Sequence, residues 1–237
     1  MRWLHTSRVC AEPSTVSRVI ALMRHELAMH FRALVASALV LAGPVACAQG
    51  FSEGVHYKAL TPAQPTNVAP GKVEVVEVFW YACGHCFAID PAFESWQQKS
   101  KPANVQVVLV PATWNDVLKT HARVFYAAEL LGKLPQLHTE IFREVNVRNN
   151  HLDTPAKIEA FFTSHGVAKA DFDKVFNSFG LESKVRRAED LNKRYKITGT
   201  PTFIVNGKWV TDVRMAGGEP QLFNVLTQLA TQEKPAN

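Results

Sequence analysis

Two apolar stretches in the first half of the chain predict buried β-strands. Residues 72–79 have the sequence KVEVVEVF, and residues 105–110 have the sequence VQVVLV. Runs of β-branched residues with few polar interruptions are typical of strands that are covered on both faces. The apolar residues of the intervening segment, 87–99, predict a helix. Residues 49–71 are rich in Pro, Thr and Ala, and we expect an extended arm with a short edge strand over residues 57–60.

The pattern between residues 114 and 179 changes to helical spacing alone. Four helices are expected in this part of the chain, over residues 121–131, 135–145, 154–166 and 171–179. Their apolar residues recur at the spacing of one helix face, which indicates packing in a core rather than binding of a cofactor. A charged amphipathic helix over residues 183–195 follows.

The last part of the chain predicts a β-hairpin and a final helix. Asn206-Gly207 lies between two short apolar runs, residues 203–205 and 208–210. Asn-Gly in this position is a strong signal for a two-residue hairpin turn. Residues 221–230 then have the pattern of a helix, and together these elements predict an α/β fold interrupted by a helical block.

The N-terminal segment has the features of a secretory signal peptide. A short basic stretch, residues 29–32, precedes an uncharged apolar run over residues 33–45, which is too short to span a membrane. The sequence Ala-Cys-Ala ending at Ala48 then matches the small-x-small cleavage pattern. We expect residues 1–48 to be a signal peptide with an over-long start, cleaved after Ala48, so that the remainder is exported to the periplasm.

Alternatives stay open at this end of the chain. Translation starts at Met1, Met23 or Met29, and the sequence does not decide among them. A retained signal anchor or a helical arm is the alternative to a cleaved leader. A lipoprotein anchored through Cys47 is disfavoured, because the preceding Pro44-Val45-Ala46 does not place an aliphatic side chain at the position where such a site requires it.

Loss of residues 1–48 changes both the charge and the cysteine content. The whole chain carries a formal charge of +5, but five arginines and two glutamates lie in the leader, which leaves +2 for the remainder. No basic stripe is present, and we expect no nucleic-acid partner. Cys83 and Cys86 are the cysteines that remain. Without a second Cys-x-x-Cys or a spaced His pair, we expect no metal site and no cofactor.

Cys83-Gly84-His85-Cys86 follows the first predicted strand and precedes the first predicted helix. A thiol at the start of a helix faces unpaired N–H groups and the positive end of the helix dipole, which favour the thiolate. The thiolate is the nucleophile in disulfide exchange, and a sulfur of low pKa is also a good leaving group. The placement therefore predicts redox chemistry, with a zinc site or an inert disulfide as the alternatives.

Two motifs in this order resemble a known family. Residues 76–86 have the sequence VEVFWYACGHC, residues 199–208 have the sequence GTPTFIVNGK, and Tyr57 lies in the arm before them. The chain resembles the DsbA-type periplasmic thiol:disulfide interchange proteins of the thioredoxin superfamily, DsbL-like members included. The resemblance implies a thioredoxin-like fold with an inserted all-helical domain. The implied division is a first thioredoxin part over residues 49–113, a helical insertion over 114–182 and a second thioredoxin part over 183–237.

The resemblance also implies roles for individual residues. Cys83 would be the attacking cysteine and Cys86 the resolving one, joined as a redox-active disulfide. Pro201 would be a cis proline that faces this disulfide, and Thr200 before it would offer its backbone to an extended substrate. Glu77, six residues before Cys83, would be the buried acid that moves protons during exchange.

Several neighbouring residues carry weaker expectations. A protonated or hydrogen-bonding His85 would stabilise a thiolate, although it is otherwise an ordinary polar loop residue. Trp80 and Tyr81 would either line a substrate groove or belong to the core. The most oxidising members of the family have proline between the first cysteine and the histidine, whereas this chain has Gly84 there, as protein disulfide isomerases do. Residues 105–110 contain no lysine, where a partner of the buried acid would be expected.

The resemblance implies an oxidase that donates its disulfide to unfolded or reduced exported proteins. A DsbB-like, quinone-linked membrane protein would reoxidise it, and the protein would be a monomer. A disulfide isomerase or reductase is one alternative, favoured by Gly84. The other is a non-catalytic, chaperone-like binding module.

Overall fold

The computed structural model describes residues 50–233. The predicted signal peptide and its cleavage after Ala48 fall outside this range. Within residues 50–233, no helix combines the length and the apolar content needed to cross a membrane.

Five strands and eight helices make up the described part of the chain. The strands are β1 (Lys58–Ala59), β2 (Val73–Phe79), β3 (Val105–Pro111), β4 (Thr202–Val205) and β5 (Trp209–Thr211). The helices are α1 (Gly84–Lys99), α2 (Asp116–Leu130), α3 (Leu134–Asn146), α4 (Pro155–Ser164), α5 (Lys169–Phe176), α6 (Phe179–Arg194), α7 (Val213–Ala216) and α8 (Glu219–Gln232).

The strands form one mixed sheet in the order β1-β5-β4-β2-β3. β2 pairs with β3 in parallel and with β4 antiparallel, and Phe79 at the end of β2 lies opposite Pro111. All seven residues of β2 are buried, as its apolar sequence predicts for a central strand. Because β2 and β3 are parallel, the segments that follow them leave the sheet at the same edge.

Each face of the sheet is covered by its own apolar layer. On one face, Val73 and Val75 of β2 pack with residues of α1 and α8, such as Phe93 and Leu226. On the other face, side chains such as Val76 belong to a cluster that includes buried residues of α2 to α6. The helices between β3 and β4 are therefore part of a continuous core with the sheet. The division into thioredoxin parts and a helical insertion stays a prediction.

Helix caps explain the differences from the sequence expectation. α2 begins at Asp116 rather than residue 121, because the Asn115 side chain accepts a hydrogen bond from the Leu118 N–H. α6 begins at Phe179 rather than residue 183, because Ser178 caps it in the same way. The short helix α7, capped by Asp212, was not predicted at all. Each of the first two caps lengthens its helix by about one turn at the N-terminal end, in a segment whose apolar spacing does not predict a helix.

Candidate active site at the Cys-x-x-Cys motif

Cys83 is the N-cap residue of α1. Its backbone is extended, and its sulfur accepts a hydrogen bond from the Cys86 N–H at 3.4 Å. Serine or aspartate usually makes this contact, so the Cys83 sulfur takes the place of a capping oxygen. Both cysteines are free thiols in the structure; Cys83 is half-buried and Cys86 is buried. Only one sulfur of the pair is therefore open to an incoming thiolate.

The surroundings of Cys83 favour its thiolate. The pKa of the Cys83 thiol is lowered to about 5, mainly by a hydrogen bond with the Cys86 side chain. The Thr200 side chain and the backbone N–H groups of Cys86 and His85 add to this effect, against a contribution from burial that raises the pKa. The N–H groups are those left unpaired in the first turn of a helix, as expected from the motif's position.

Cys86 has the opposite character. Its side chain is fully buried, and burial raises the pKa of the Cys86 thiol far above its ordinary value. The neighbouring Cys83 and Glu77 raise it further, because a second negative charge close by is unfavourable. The two sulfurs therefore differ strongly in acidity, although only two residues separate them.

The loop before β4 faces the cysteines. The peptide bond between Thr200 and Pro201 is cis, as the motif predicts, and the Cys83 thiol donates a hydrogen bond to the Thr200 carbonyl at 3.4 Å. A second cis bond, Thr61–Pro62, has no counterpart in the sequence expectation. A groove of about 1040 Å³ begins beside this loop. Residues 198–202 form one wall, and His85, Ala88, Ile89 and residues of α7 line the rest.

Glu77 is buried on β2 next to the cysteines. Desolvation raises the pKa of the Glu77 carboxyl to about 8, and the negative charges of Asp90 and Cys83 add to the increase. No basic side chain within residues 50–233 opposes this shift. That agrees with the absence of a lysine from residues 105–110. Glu77 in turn acts on Cys86, so the structure brings the buried acid and the resolving thiol together.

Asp90 is a site residue that the sequence analysis missed. It lies four residues after Cys86, one turn along α1, and both side chains are buried on the same helix face. Thr139 donates a hydrogen bond to Asp90 at 3.1 Å, and His138 Nε2 lies 3.6 Å from the other carboxylate oxygen. The i, i+4 spacing was the available signal, but Thr139 and His138 come from α3, which no local pattern connects to the motif.

Tyr81 does not line a groove. Its side chain is 1% exposed, its hydroxyl lies 2.9 Å from His138 Nδ1, and its carbonyl accepts a hydrogen bond from Asn146. The substrate-binding expectation for Tyr81 is therefore wrong, because the ring is enclosed by Phe79 and Phe142 in the core. Trp80 is half-buried and packs against the same core cluster. Its role in substrate binding stays a prediction.

His85 is exposed at the first turn of α1 and lines the groove beside Pro201. Its backbone N–H is the part that lowers the pKa of Cys83. The expected contribution of the imidazole stays a prediction, since no hydrogen bond joins its ring to the sulfur among the described residues.

The chain is similar to known proteins over most of its length. Residues 74–230 match the family model described as DSBA-like thioredoxin domain. A thiol:disulfide interchange protein DsbA from Pseudomonas syringae pv. tomato is 36% identical over 207 residues, covering 86% of this chain and 96% of the relative. The DsbA of Pseudomonas aeruginosa is 34% identical over 196 residues, with coverages of 83% and 92%.

Solved structures give the same result. The crystal structure of Pseudomonas aeruginosa DsbA aligns with a TM-score of 0.70 and 34% identity, over 75% of this chain and 92% of that one. The Xylella fastidiosa oxidoreductase DsbA aligns with a TM-score of 0.71 and 26% identity, over 77% of this chain and 97% of that one. The inferred thioredoxin-like fold is confirmed, and the isomerase and chaperone alternatives are not favoured. The chain belongs to the family of DSBA-like thioredoxin domains, which are thiol:disulfide oxidoreductases.

Proposed function

We propose that this oxidoreductase donates the Cys83–Cys86 disulfide to reduced exported proteins, here called clients, through a mixed disulfide on Cys83. A client thiolate attacks the Cys83 sulfur, the bond between Cys83 and Cys86 breaks, and its electron pair leaves with Cys86. A second client thiolate then attacks the client sulfur of the mixed disulfide and releases the Cys83 thiolate. The client gains one disulfide, and the enzyme is left as a dithiol.

The contrast between the two sulfurs supports this order of events. Cys83 is the sulfur that a client can reach, whereas Cys86 is fully buried. The final leaving group is the Cys83 thiolate, whose pKa of about 5 makes its departure favourable near neutral pH. A stabilised thiolate in the reduced enzyme also makes its disulfide a better oxidant. This asymmetry is the observation that carries the proposal.

Glu77 supplies the proton that the first step requires. Cys86 leaves as a thiolate in a site that strongly disfavours its charge, so it must gain a proton. Glu77 has a pKa of about 8 and is largely protonated at pH 7. We assign it the transfer of its proton to the Cys86 sulfur. In the reverse direction the Glu77 carboxylate would accept that proton.

The groove beside Pro201 would hold the client during exchange, with the Thr200 backbone next to the reacting sulfur. His85 lines that groove and would contribute through its ring as well as its backbone. We further propose that the mature protein is a periplasmic monomer that begins after Ala48. A DsbB-like, quinone-linked membrane protein would accept its electrons.

A trapping experiment with the separate cysteine variants tests this assignment. Cys86→Ala has no resolving thiol and should accumulate mixed disulfides with clients through Cys83. Cys83→Ala, the matched control, should form none, because Cys86 is out of reach. Non-reducing gels of material isolated from the periplasm would show the adducts. Equal adduct formation by both variants would contradict the proposed roles.

A further inference from the structure

Trp114 and Val117 are exposed apolar side chains three residues apart. Trp114 is 48% exposed and Val117 is 55% exposed, on the segment that joins β3 to α2 and on the first turn of α2. Isolated exposed apolar residues need no explanation, but Trp114 also lines a cavity, which makes its exposed ring a candidate binding surface. The reaction described above uses neither residue.

The chain topology places Trp114 at the edge of the sheet that also carries the cysteines. The Ala112 N–H bonds to the carbonyl of Phe79, the last residue of β2, at 2.8 Å. Cys83 lies four residues after Phe79, the last residue of β2. Trp114 lies three residues after Pro111, the last residue of the neighbouring strand β3. Parallel strands end at one edge, so both segments leave the sheet side by side.

A separate cavity lies against the Trp114 ring. Its volume is about 430 Å³, and Thr113, Asn192, Ile197 and Thr198 are among the residues that line it. Thr198 also lines the larger groove beside Pro201. Thr198, two positions before Thr200, is therefore common to both cavities. An extended client that follows this loop would contact both.

The charges of the Trp114 cavity indicate what it binds. Lys119, Lys193, Lys196 and Glu189 are the charged residues of its lining, which gives a positive balance. Lys119 is paired with Glu189 at 3.0 Å, and the Lys196 ammonium donates to the Thr61 carbonyl. Lys193 is exposed and has no ion-pair partner within residues 50–233. An apolar cavity with an available ammonium at its rim complements an apolar side chain next to a carboxylate.

We propose that the Trp114 cavity is a second client subsite, which takes an aromatic or aliphatic side chain of the client with an acidic residue next to it. The subsite deepens the proposed function and rests on it. Thr198 lies two positions before Thr200, a separation of at most about 7 Å in extended chain. The client side chain that occupies the cavity would therefore lie roughly two or three residues from the cysteine that reacts with Cys83.

Peptide oxidation by Trp114→Ala tests the subsite. The substrates are two reduced peptides, each with two cysteines and one Phe-Glu pair. The Phe-Glu pair lies two residues before one of the cysteines in the first peptide and two residues after that cysteine in the second. The reference substrates are the same peptides with Gly-Ser in place of Phe-Glu, and dithiothreitol. We expect kcat/KM for one Phe-Glu peptide to fall about tenfold more than for either reference, the range typical of losing a buried aromatic anchor.

Phe179→Ala is the matched control for this substitution. Phe179 is also an exposed aromatic residue, but it lies at the start of α6, about 20 Å along the helix from Asn192. Its removal should change no substrate selectively. A similar selective loss in this control, or equal losses with all substrates in Trp114→Ala, would overturn the subsite.

Charge reversal gives a second, independent measurement. Lys193→Glu should lower the rate with a Phe-Glu peptide and raise it with the corresponding Phe-Lys peptide, whereas an unchanged ratio between the two would contradict the assigned charge preference. Failure of the proposed function itself would look different. The parent enzyme in its disulfide form would then oxidise neither the peptides nor dithiothreitol.

Discussion

In the proposed mechanism, Glu77 combines a cost to stability with a catalytic use. A carboxyl group on a fully buried strand without a basic partner is less stable when ionised, and its pKa of about 8 measures that penalty. The folded protein therefore holds a proton on Glu77 at pH values where the unfolded chain has released it. In the proposed mechanism, the departing Cys86 thiolate receives this proton. Residues kept for function at the expense of stability are common in active sites.

Glu77→Gln should be more stable than the parent at neutral pH and slower in client oxidation. Folding raises the pKa of the Glu77 carboxyl, so the free energy of unfolding of the parent protein falls as pH rises from about 4.5 to 8. A glutamine at this position does not titrate, so the variant does not lose stability in this way. The free energy of unfolding of the variant, relative to the parent, should rise by about 3 kcal/mol between pH 4.5 and 7. Urea unfolding of both proteins in the dithiol form measures this difference, because the Cys83 charge that contributes to the raised pKa of Glu77 is present in that form.

Glu94→Gln is the control for this pH dependence. Glu94 is exposed on α1 and accepts a hydrogen bond from Gln98. Its substitution should change the free energy of unfolding by less than about 0.5 kcal/mol at any of these pH values. If the free energies of unfolding of Glu77→Gln and of the parent changed in parallel with pH, Glu77 would be ionised in the folded protein. That result would exclude Glu77 as the proton donor.

At the scale of elements, the end of α8 is tied to the β4–β5 hairpin by one side chain. Glu233 accepts hydrogen bonds from Asn206 Nδ2 at 2.9 Å and Lys208 Nζ at 2.6 Å through one oxygen. Its other oxygen accepts from Trp209 Nε1 at 2.7 Å. The carboxylate is largely buried, and all three donors come from the hairpin. The last helix and the edge of the sheet are therefore held together by a contact that involves the turn itself.

Glu233→Ala should destabilise the protein by about 2 kcal/mol. The substitution removes hydrogen bonds to a charged acceptor, and it leaves the Trp209 and Asn206 donors without the Glu233 carboxylate; both effects lower the free energy of unfolding. Gln232→Ala changes the neighbouring exposed residue of the same helix and should have almost no effect. Urea unfolding at neutral pH gives both values. Equal stabilities of the two variants would mean that solvent replaces the carboxylate without cost.

At the scale of the whole molecule, the helices after β3 share one core with the sheet. Phe142 of α3 packs against Phe79 of β2, Tyr81 and Phe87, with ring centroids 5.8, 4.9 and 6.2 Å away. Asn146 of the same helix donates a hydrogen bond to the Tyr81 carbonyl at 2.7 Å. The helical block therefore supports the segment that leads into Cys83. A thioredoxin part without it would expose several aromatic side chains.

Phe142→Ala should destabilise the protein by about 3–5 kcal/mol, the range for removal of a buried aromatic side chain. Tryptophan fluorescence and far-ultraviolet circular dichroism should report the same urea midpoint, because the two parts share the core and unfold together. Val147→Ala, at the exposed end of the same helix, is the control. Two separate transitions in the parent protein would show that the helical block folds independently of the sheet.

The main elements follow from local patterns in the sequence. β2 and β3 were predicted from runs of β-branched residues with few polar interruptions, and the β4–β5 hairpin from Asn206-Gly207, whose residues adopt the positive φ that such a turn needs. The expectation that β3 is covered on both faces is wrong, because β3 is the last strand of the sheet and only residues 105, 110 and 111 of it are buried. Element ends were less well predicted: α2 and α6 begin earlier because Asn115 and Ser178 cap them. A cap depends on one side chain and its backbone conformation, which periodicity does not detect.

The sequence determined the local surroundings of Cys83, because a thiol at the start of this helix meets the Cys86 side chain and the first N–H groups of the same motif. The family, too, follows from motifs of the sequence. The tertiary structure decided which groups surround that thiol from distant parts of the chain. It buried Tyr81, brought Glu77 and Asp90 to the buried cysteine, and placed His138 and Thr139 of α3 against Asp90. It also joined Trp114 to Thr198 in one cavity. Such contacts connect residues tens of positions apart, and only the packing of the helices on the sheet determines them.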